Sequence, residues 1–234
     1  MIAHEKMLWY NEREVVQVKD IPVFTTENGV ASLVLQEIPA TGCAYIHLRA
    51  TLAPEELLKE CVSFCTMVGA TRVYATGNEI LETKQFHTSI WEMAVLKESL
   101  EDTDAALWPA QPETLDEFRR LYNQKIAHVP NAAWMTEREA KRIAEAGEGY
   151  FVHRAESCLG IGIVRGSELA FVASLCRGAG SVVVQALAHA INDARITLQV
   201  ASTNEKAVEL YEKLGFVKIR EISRWYNVFP RSDA

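Results

Sequence analysis

The sequence predicts an α+β protein in which strands and helices share each half of the chain. Three observations predict it. Two strand-like runs, a helix and two more strand-like runs follow one another in the first half, and a similar succession recurs in the second. Helical and strand segments alternate without long low-complexity tracts. The composition, 49% hydrophobic and 24% charged over 234 residues, is that of an ordinary soluble globular chain.

In the first half, residues 31–38 and 43–49 read as strands separated by Pro39-Ala40-Thr41-Gly42. Pro54-Glu55-Glu56 opens a helix, since proline suits the first helical position and acids suit the first turn. Leu57, Cys61, Phe64, Cys65 and Val68 form its expected apolar stripe, and Gly69 is placed to end it. Residues 72–75 and 87–95 complete this half as strands. The stretch 99–113 combines an acidic cluster with two prolines, so a domain boundary is expected near residue 105, giving domains 1–104 and 105–234.

In the second half, Leu115, Phe118 and Tyr122 mark one amphipathic helix and residues 136–146 a second. Residues 150–153, 158–164 and 168–174 are strands in quick succession. A glycine turn, 176–181, leads into a helix with Val183, Val184, Leu187 and Ile191 on one face. Residues 195–200 form a strand. The next helix carries Ala207, Leu210, Tyr211 and Leu214, preceded by a capping-box pattern at Ser202–Glu205 and closed by Gly215. Residues 217–222 and 224–228 end the order as two strands.

Charge and cysteines narrow the function classes. With 24 basic against 31 acidic side chains the formal charge is −7, which argues against a nucleic-acid groove. No run approaches the roughly 20 apolar residues of a membrane span. Met1–Lys6 lacks a basic segment leading into an apolar one, so no secretory signal is expected. Five cysteines without a C-x-x-C pair fit a reducing cytoplasm. Cys61 and Cys65 read as small core residues. No metal site is expected, because the histidines show no ligand spacing.

The chemistry points to one loop. Gly178 and Gly180 let the backbone approach a ligand, and the helix that follows presents unpaired N–H groups and a positive dipole end. That combination suits an anion such as a pyrophosphate, with Arg177 adding a fork of donors. A tight strand-to-helix turn accounts for the same glycines by geometry alone. There is no G-x-x-x-x-G-K-[ST], which excludes a P-loop. Gly160-Ile161-Gly162 is followed by a strand end, not the helix that a dinucleotide fingerprint needs.

Asn204-Glu-Lys-Ala-Val-Glu-Leu-Tyr-Glu-Lys-Leu-Gly-Phe216 resembles the late motif of the GNAT superfamily of acyl-CoA-dependent N-acyltransferases. Its Asn, Ala, Tyr and Gly-Phe stand at matching spacing. Phe171–Val182 lines up with that family's strand-plus-loop motif, Val182 falling where the family has a small residue. The resemblance covers residues 105–230 and implies a GNAT-like mixed, mostly antiparallel central sheet flanked by helices. It implies acetyl-CoA as co-substrate, with the pyrophosphate on Arg177, Gly178, Ala179, Gly180, Ser181 and Val182. It also implies that the pantetheine arm runs along the backbone of Phe171, Val172 and Ala173, with Asn204 hydrogen-bonding it.

By the same resemblance Tyr211 is the general acid for the leaving thiolate, although it also lies on the apolar stripe, where packing accounts for it. Asn204 is equally placed to be a helix cap. Glu168, Glu156 and His153 stand near the strands concerned, and none is singled out as base. The expected function is acetyl transfer to a small-molecule or peptide amine in a ternary complex. The alternatives are a non-catalytic acyl-CoA sensor and a purely structural protein. The first half, with Pro54 and no glycine at the equivalent turn, resembles a degenerate GNAT-like repeat. Neither nucleic acid nor membrane is an expected partner, and the chain is read as monomer or homodimer.

Overall fold

The computed structural model describes residues 8–11, 14–17, 23–127 and 134–229, the first two segments as backbone only. The chain divides into two compact units, Met1–Thr88 with Ser223–Ala234, and Ser89–Ile222.

In the first unit β1 (Leu8–Asn11) and β2 (Glu14–Gln17) pair antiparallel with each other. β3 (Val23–Thr26), β4 (Gly29–Val34) and β5 (Cys43–Thr51) form an antiparallel run, with a one-turn helix α1 (Ile38–Thr41) between the last two. α2 (Pro54–Met67) then crosses over to β6 (Arg72–Thr76), which lies parallel to β5. Pro54 occupies the first turn of α2 beside Glu55 and Glu56, and Gly69 (φ +98°) follows its C-cap, as the sequence leads one to expect. The face that α2 buries is Leu57, Leu58, Cys61, Val62 and Cys65; Phe64 is half-buried and Val68 exposed, so the stripe lies one residue over from the expected one.

In the second unit the strand order is β7 (Gln85–Leu96, from Ser89 onward), β12 (Arg195–Ala201), β11 (Glu168–Ser174), β10 (Ser157–Arg165), β9 (Gly149–Arg154) and β8 (Ala106–Pro109). Every neighbouring pair is antiparallel except β11 and β12. α3 (Leu115–Ile126) and α4 (Glu137–Glu145) cover one face, where Phe118 meets Phe151 edge-on at 5.5 Å. α5 (Gly180–His189) covers the other, burying Val183, Val184 and Leu187, each contributing about 1.5–3 kcal/mol. α6 (Glu205–Lys213) and β13 (Val217–Asn227), the latter as far as Ile222, follow.

Gly160 and Gly162 explain how α5 approaches so closely. A Cβ on Gly160 would stand 2.6 Å from Val183, and one on Gly162 2.2 Å from Leu187. Two bare positions on one face of β10 thus receive two side chains a helical turn apart.

Several expectations are corrected. The strand expected over 31–38 ends at Val34, because the chain turns into α1, closed by Gly42 in the left-handed region (φ +71°). Residues 217–222 and 224–228 form one continuous strand ending at Asn227. The proline-bearing stretch around residue 105 lies inside the second unit, where β8 pairs with β9 as an edge strand and so tolerates Pro109. The division falls instead at Thr88 and Ser89. The strand assigned to the first half pairs with β12, from Leu96 opposite Arg195 to Ile90 opposite Ala201. Conversely, Tyr226 and Asn227 pair with Ala75 and Tyr74 in the first unit.

Candidate active site

A bulge sets the geometry. Ile163 lies opposite Phe171 and Val164 opposite Leu169, which leaves Ala170 as an extra residue in β11. On its other edge β11 pairs with β12 only at Glu168–Thr197 and Leu169–Leu198. β12 stays paired to β7 as far as Ala201, so β11 is the strand that leaves its neighbour. The Leu175 N–H donates to the Leu159 carbonyl at 2.8 Å. By alternation the backbone groups of Phe171 and Ala173 also turn toward β10, while those of Val172 and Ser174 turn toward the side β12 has left. A backbone edge needs hydrogen-bonding partners, which a ligand can supply.

The strand runs into the glycine loop. The Cys176 carbonyl accepts from Ser174 Oγ at 2.6 Å and from the Ala179 N–H at 3.2 Å, closing a compact turn. The two glycines serve different ends. Gly178 has φ +81° with nothing within 4 Å of a notional Cβ, so its role is torsional. A Cβ on Gly180 would come within 2.9 Å of Leu210, so there glycine lets α5 pack against α6.

No side chain caps α5 at Ala179. The N–H groups of Gly180, Ser181 and Val182 therefore have no intrahelical acceptor and stand at the positive end of the helix dipole. Arg177 is exposed beside them; Val182 is half-buried against the core beneath α5.

Tyr211 is buried at 8% exposure, its ring 5.6 Å from that of Phe216. Burial pushes its phenol up to about 12, so the hydroxyl keeps its proton at neutral pH. Asn204 is exposed at the N-cap of α6 and makes no side-chain cap hydrogen bond. The expected capping box is not formed either. Ser202 is drawn to β7, its Oγ accepting from the Ser89 N–H at 3.0 Å and its own N–H donating to the Ser89 carbonyl at 2.7 Å.

The three carboxylate and imidazole candidates are dispersed. Glu168 sits where β11 and β12 are still paired. Glu156 is exposed in the β9–β10 turn, and His153 stacks on Trp108 at 4.1 Å. Among the described residues no group of three His, Cys, Asp or Glu side chains is placed to hold a metal ion, and no helix is long and apolar enough to cross a membrane. His4 and His128 lie outside the described residues.

Two residues were not anticipated. Tyr122 of α3 lies 4.3 Å from Phe171, centroid to centroid, on the α3 face of β11. Asn123 is buried and clamps Met135, donating from Nδ2 to its carbonyl at 3.0 Å and accepting its N–H at 2.8 Å. The readable signal is a lone amide set beside the apolar stripe of α3.

Comparison with known proteins fits this geometry. Residues 175–226 match the family model of FR47-like proteins. Similar solved structures include a functionally unknown conserved protein from Staphylococcus epidermidis, with 12% identity over 89% of this chain and 93% of that one, at a TM-score of 0.54. A GCN5-related N-acetyltransferase from Sphaerobacter thermophilus has 12% identity over 87% and 78%, TM-score 0.54. A tandem GNAT protein from the clavulanic acid biosynthesis pathway has 12% identity over 91% and 81%, TM-score 0.52. No curated protein matches the chain. The fold is GNAT-like, an α+β arrangement of mixed, mostly antiparallel sheet flanked by helices.

Proposed function

We infer that the second unit is an N-acetyltransferase that moves an acetyl group from acetyl-CoA to an amine by direct attack in a ternary complex. The observation that carries this reading is the departure of β11 from β12 after Leu169, followed directly by the Gly178 loop and the uncapped start of α5. Backbone groups of Val172 and Ser174 would take the pantetheine amides, with Phe171 and Ala173 holding the strand against β10. The loop from Arg177 to Val182 would hold the pyrophosphate, and Asn204 would bond the arm. Attack by a neutral amine on the thioester carbonyl gives a tetrahedral oxyanion, which a free backbone N–H stabilises. Collapse expels the thiolate, to which Tyr211 of α6 would donate. The amine proton would leave to water or to Glu168, Glu156 or His153.

The acceptor is a small-molecule or peptide amine admitted beside Tyr122. A net negative chain favours a cationic one. The protein acts in the cytoplasm as a monomer or homodimer, without nucleic acid or membrane. The first unit reads as a degenerate GNAT-like repeat, supported by a one-residue bulge at Arg49 that parallels the one at Ala170. A second reading, an acyl-CoA sensor without turnover, is favoured by one observation: a phenol held at about 12 is a poor proton donor to a thiolate near 8.5–9.

Thermal unfolding with and without acetyl-CoA, on wild type and Arg177→Glu, tests the site. Saturation at 100 times the dissociation constant adds about 2.7 kcal/mol, enough to raise the midpoint by a few degrees. The rise is expected in wild type and lost in the variant; no rise in either overturns the reading. CoA release across an amine panel, absent for every amine, would select the sensor. Tyr211→Phe is expected to bind acetyl-CoA and turn over slowly.

A further inference from the structure

Five thiols are present, and they differ in access. Cys61 and Cys65 are fully buried in the first unit, and burial pushes them up to about 12 and about 11, which keeps them protonated and inert. Cys43 is buried as well. Cys176 is exposed and Cys158 half-exposed, and the two stand on neighbouring strand ends.

Gly160 lies opposite Ser174, and the Leu175 N–H bonds the Leu159 carbonyl. The next residues outward are Cys158 and Cys176, just past the end of this pairing and beside the bulge that β10 makes at Leu159. A disulfide spans Cα atoms about 4.4–6.8 Å apart, a distance that neighbours across adjacent strands can meet. The Cys176 thiol reaches the backbone of Cys158: its Sγ donates to the Cys158 carbonyl at 3.6 Å, while Cys158 Sγ donates to the Gly160 carbonyl at 3.6 Å. Cys176 immediately precedes Arg177, and its carbonyl holds the loop turn together.

We propose that Cys158 and Cys176 are a reversible redox pair whose disulfide fastens the Cys176–Ala179 loop to the end of β10. With a peroxide as oxidant, the Cys176 thiolate attacks one peroxide oxygen and breaks the O–O bond. The products are a sulfenic acid and hydroxide, which is protonated to water. The Cys158 sulfur then attacks the sulfenic sulfur and releases a second water. Two thiols lose two electrons and two protons, and the peroxide gains them. A dithiol reverses the bond by exchange. An exposed bridge of this kind belongs to the labile, regulatory class, which suits a reducing compartment. The coupling to acetyl-CoA rests on the function proposed above; the disulfide itself does not.

The test treats the full-length protein with hydrogen peroxide. The expected result is a mass lower by two hydrogens, five free thiols reduced to three, a Cys158–Cys176 linked peptide, and full recovery with dithiothreitol. Cys158→Ser and Cys176→Ser should each abolish the bridge. Five retained thiols, a bridge between other cysteines, or oxidation that stops on Cys176 alone would overturn the proposal. Tryptic cleavage after Arg177 should slow about tenfold in the bridged form, the equivalent of about 1.4 kcal/mol of added local stability. An unchanged cleavage rate removes the effect on the loop. In titrations the bridged form should bind acetyl-CoA about tenfold more weakly. Equal affinity removes the coupling. Binding by neither form overturns the acetyl-CoA reading, while the mass and cleavage results still decide the disulfide.

Discussion

Each unit sends a strand through a helix to a parallel strand, and the two crossovers differ where it matters. β5 stays paired with β6 over five positions, from Cys43–Arg72 to His47–Thr76, whereas β11 and β12 keep two. Both outgoing strands carry a one-residue bulge, at Arg49 and at Ala170. From the bulge to the helix start is five residues in the first unit and ten in the second.

The short turn is already satisfied. The Leu52 and Ala53 N–H groups both donate to the Asn28 carbonyl, at 2.9 and 3.0 Å, and Pro54 has no N–H to offer. Beyond the last pair, Asn78 Nδ2 donates to Thr51 Oγ1 at 3.1 Å. The long turn keeps an N–H at its first helical position, Gly180. Neither helix start has a side-chain cap, so element order and an uncapped start alone make no ligand site; the extra five residues and the N–H that Pro54 lacks do.

The helices also sit differently on their sheets. α2 lies over Ala31 and Leu33 of β4, α5 over Gly160 and Gly162 of β10. Gly162→Val should give the largest effect, since its side chain has no room under Leu187. A loss of about 3 kcal/mol is expected in denaturant unfolding, and a variant as stable as wild type would break the account of close packing.

A pH effect of intermediate size marks the first unit. Burial, then the charge of Arg49, lowers His47 from 6.5 to about 4, so the unfolded chain takes up the proton first. Its contribution is fully present above pH 6.5 and is lost progressively as pH falls toward 4. Thermal midpoints should drop over that window, and His47→Gln should flatten the curve. An unchanged slope would remove His47 as the cause.

The smallest effect belongs to Pro54→Ala. It returns a donor to the first turn of α2, yet the Asn28 carbonyl already occupies the neighbouring ones. Stability should change by less than about 1 kcal/mol, and calorimetry should still find one acetyl-CoA per chain. A second equivalent would show that the proline alone silences the first unit.

Much of this was legible because it is local. Pro54, Gly69, Gly178 and Gly215 punctuate the chain through torsion and missing donors, and those effects need no tertiary context. The strand–loop–helix bearing the candidate site was readable for the same reason. The bulge at Ala170 was not, since Leu-Ala-Phe-Val carries no turn residue and the extra position exists only relative to β10. Gly180 misled in part: from sequence it suggests ligand approach, and its neighbour proves to be Leu210. The unit boundary was hidden because composition reports exposure and proline, whereas the division depends on which strand β7 joins.

That pairing has a consequence for synthesis on the ribosome. Tyr226 is part of the core of the first unit and pairs with Ala75, 151 residues earlier. At 5–20 residues per second, translation takes about 8–30 s to supply that partner. Until then β6 lacks the neighbour that covers its outer edge, a long-range contact of the kind that slows folding. The N-terminal unit therefore cannot finish first: the chain must be made to about residue 227, past Ile222 at the end of the second unit, before the first one closes.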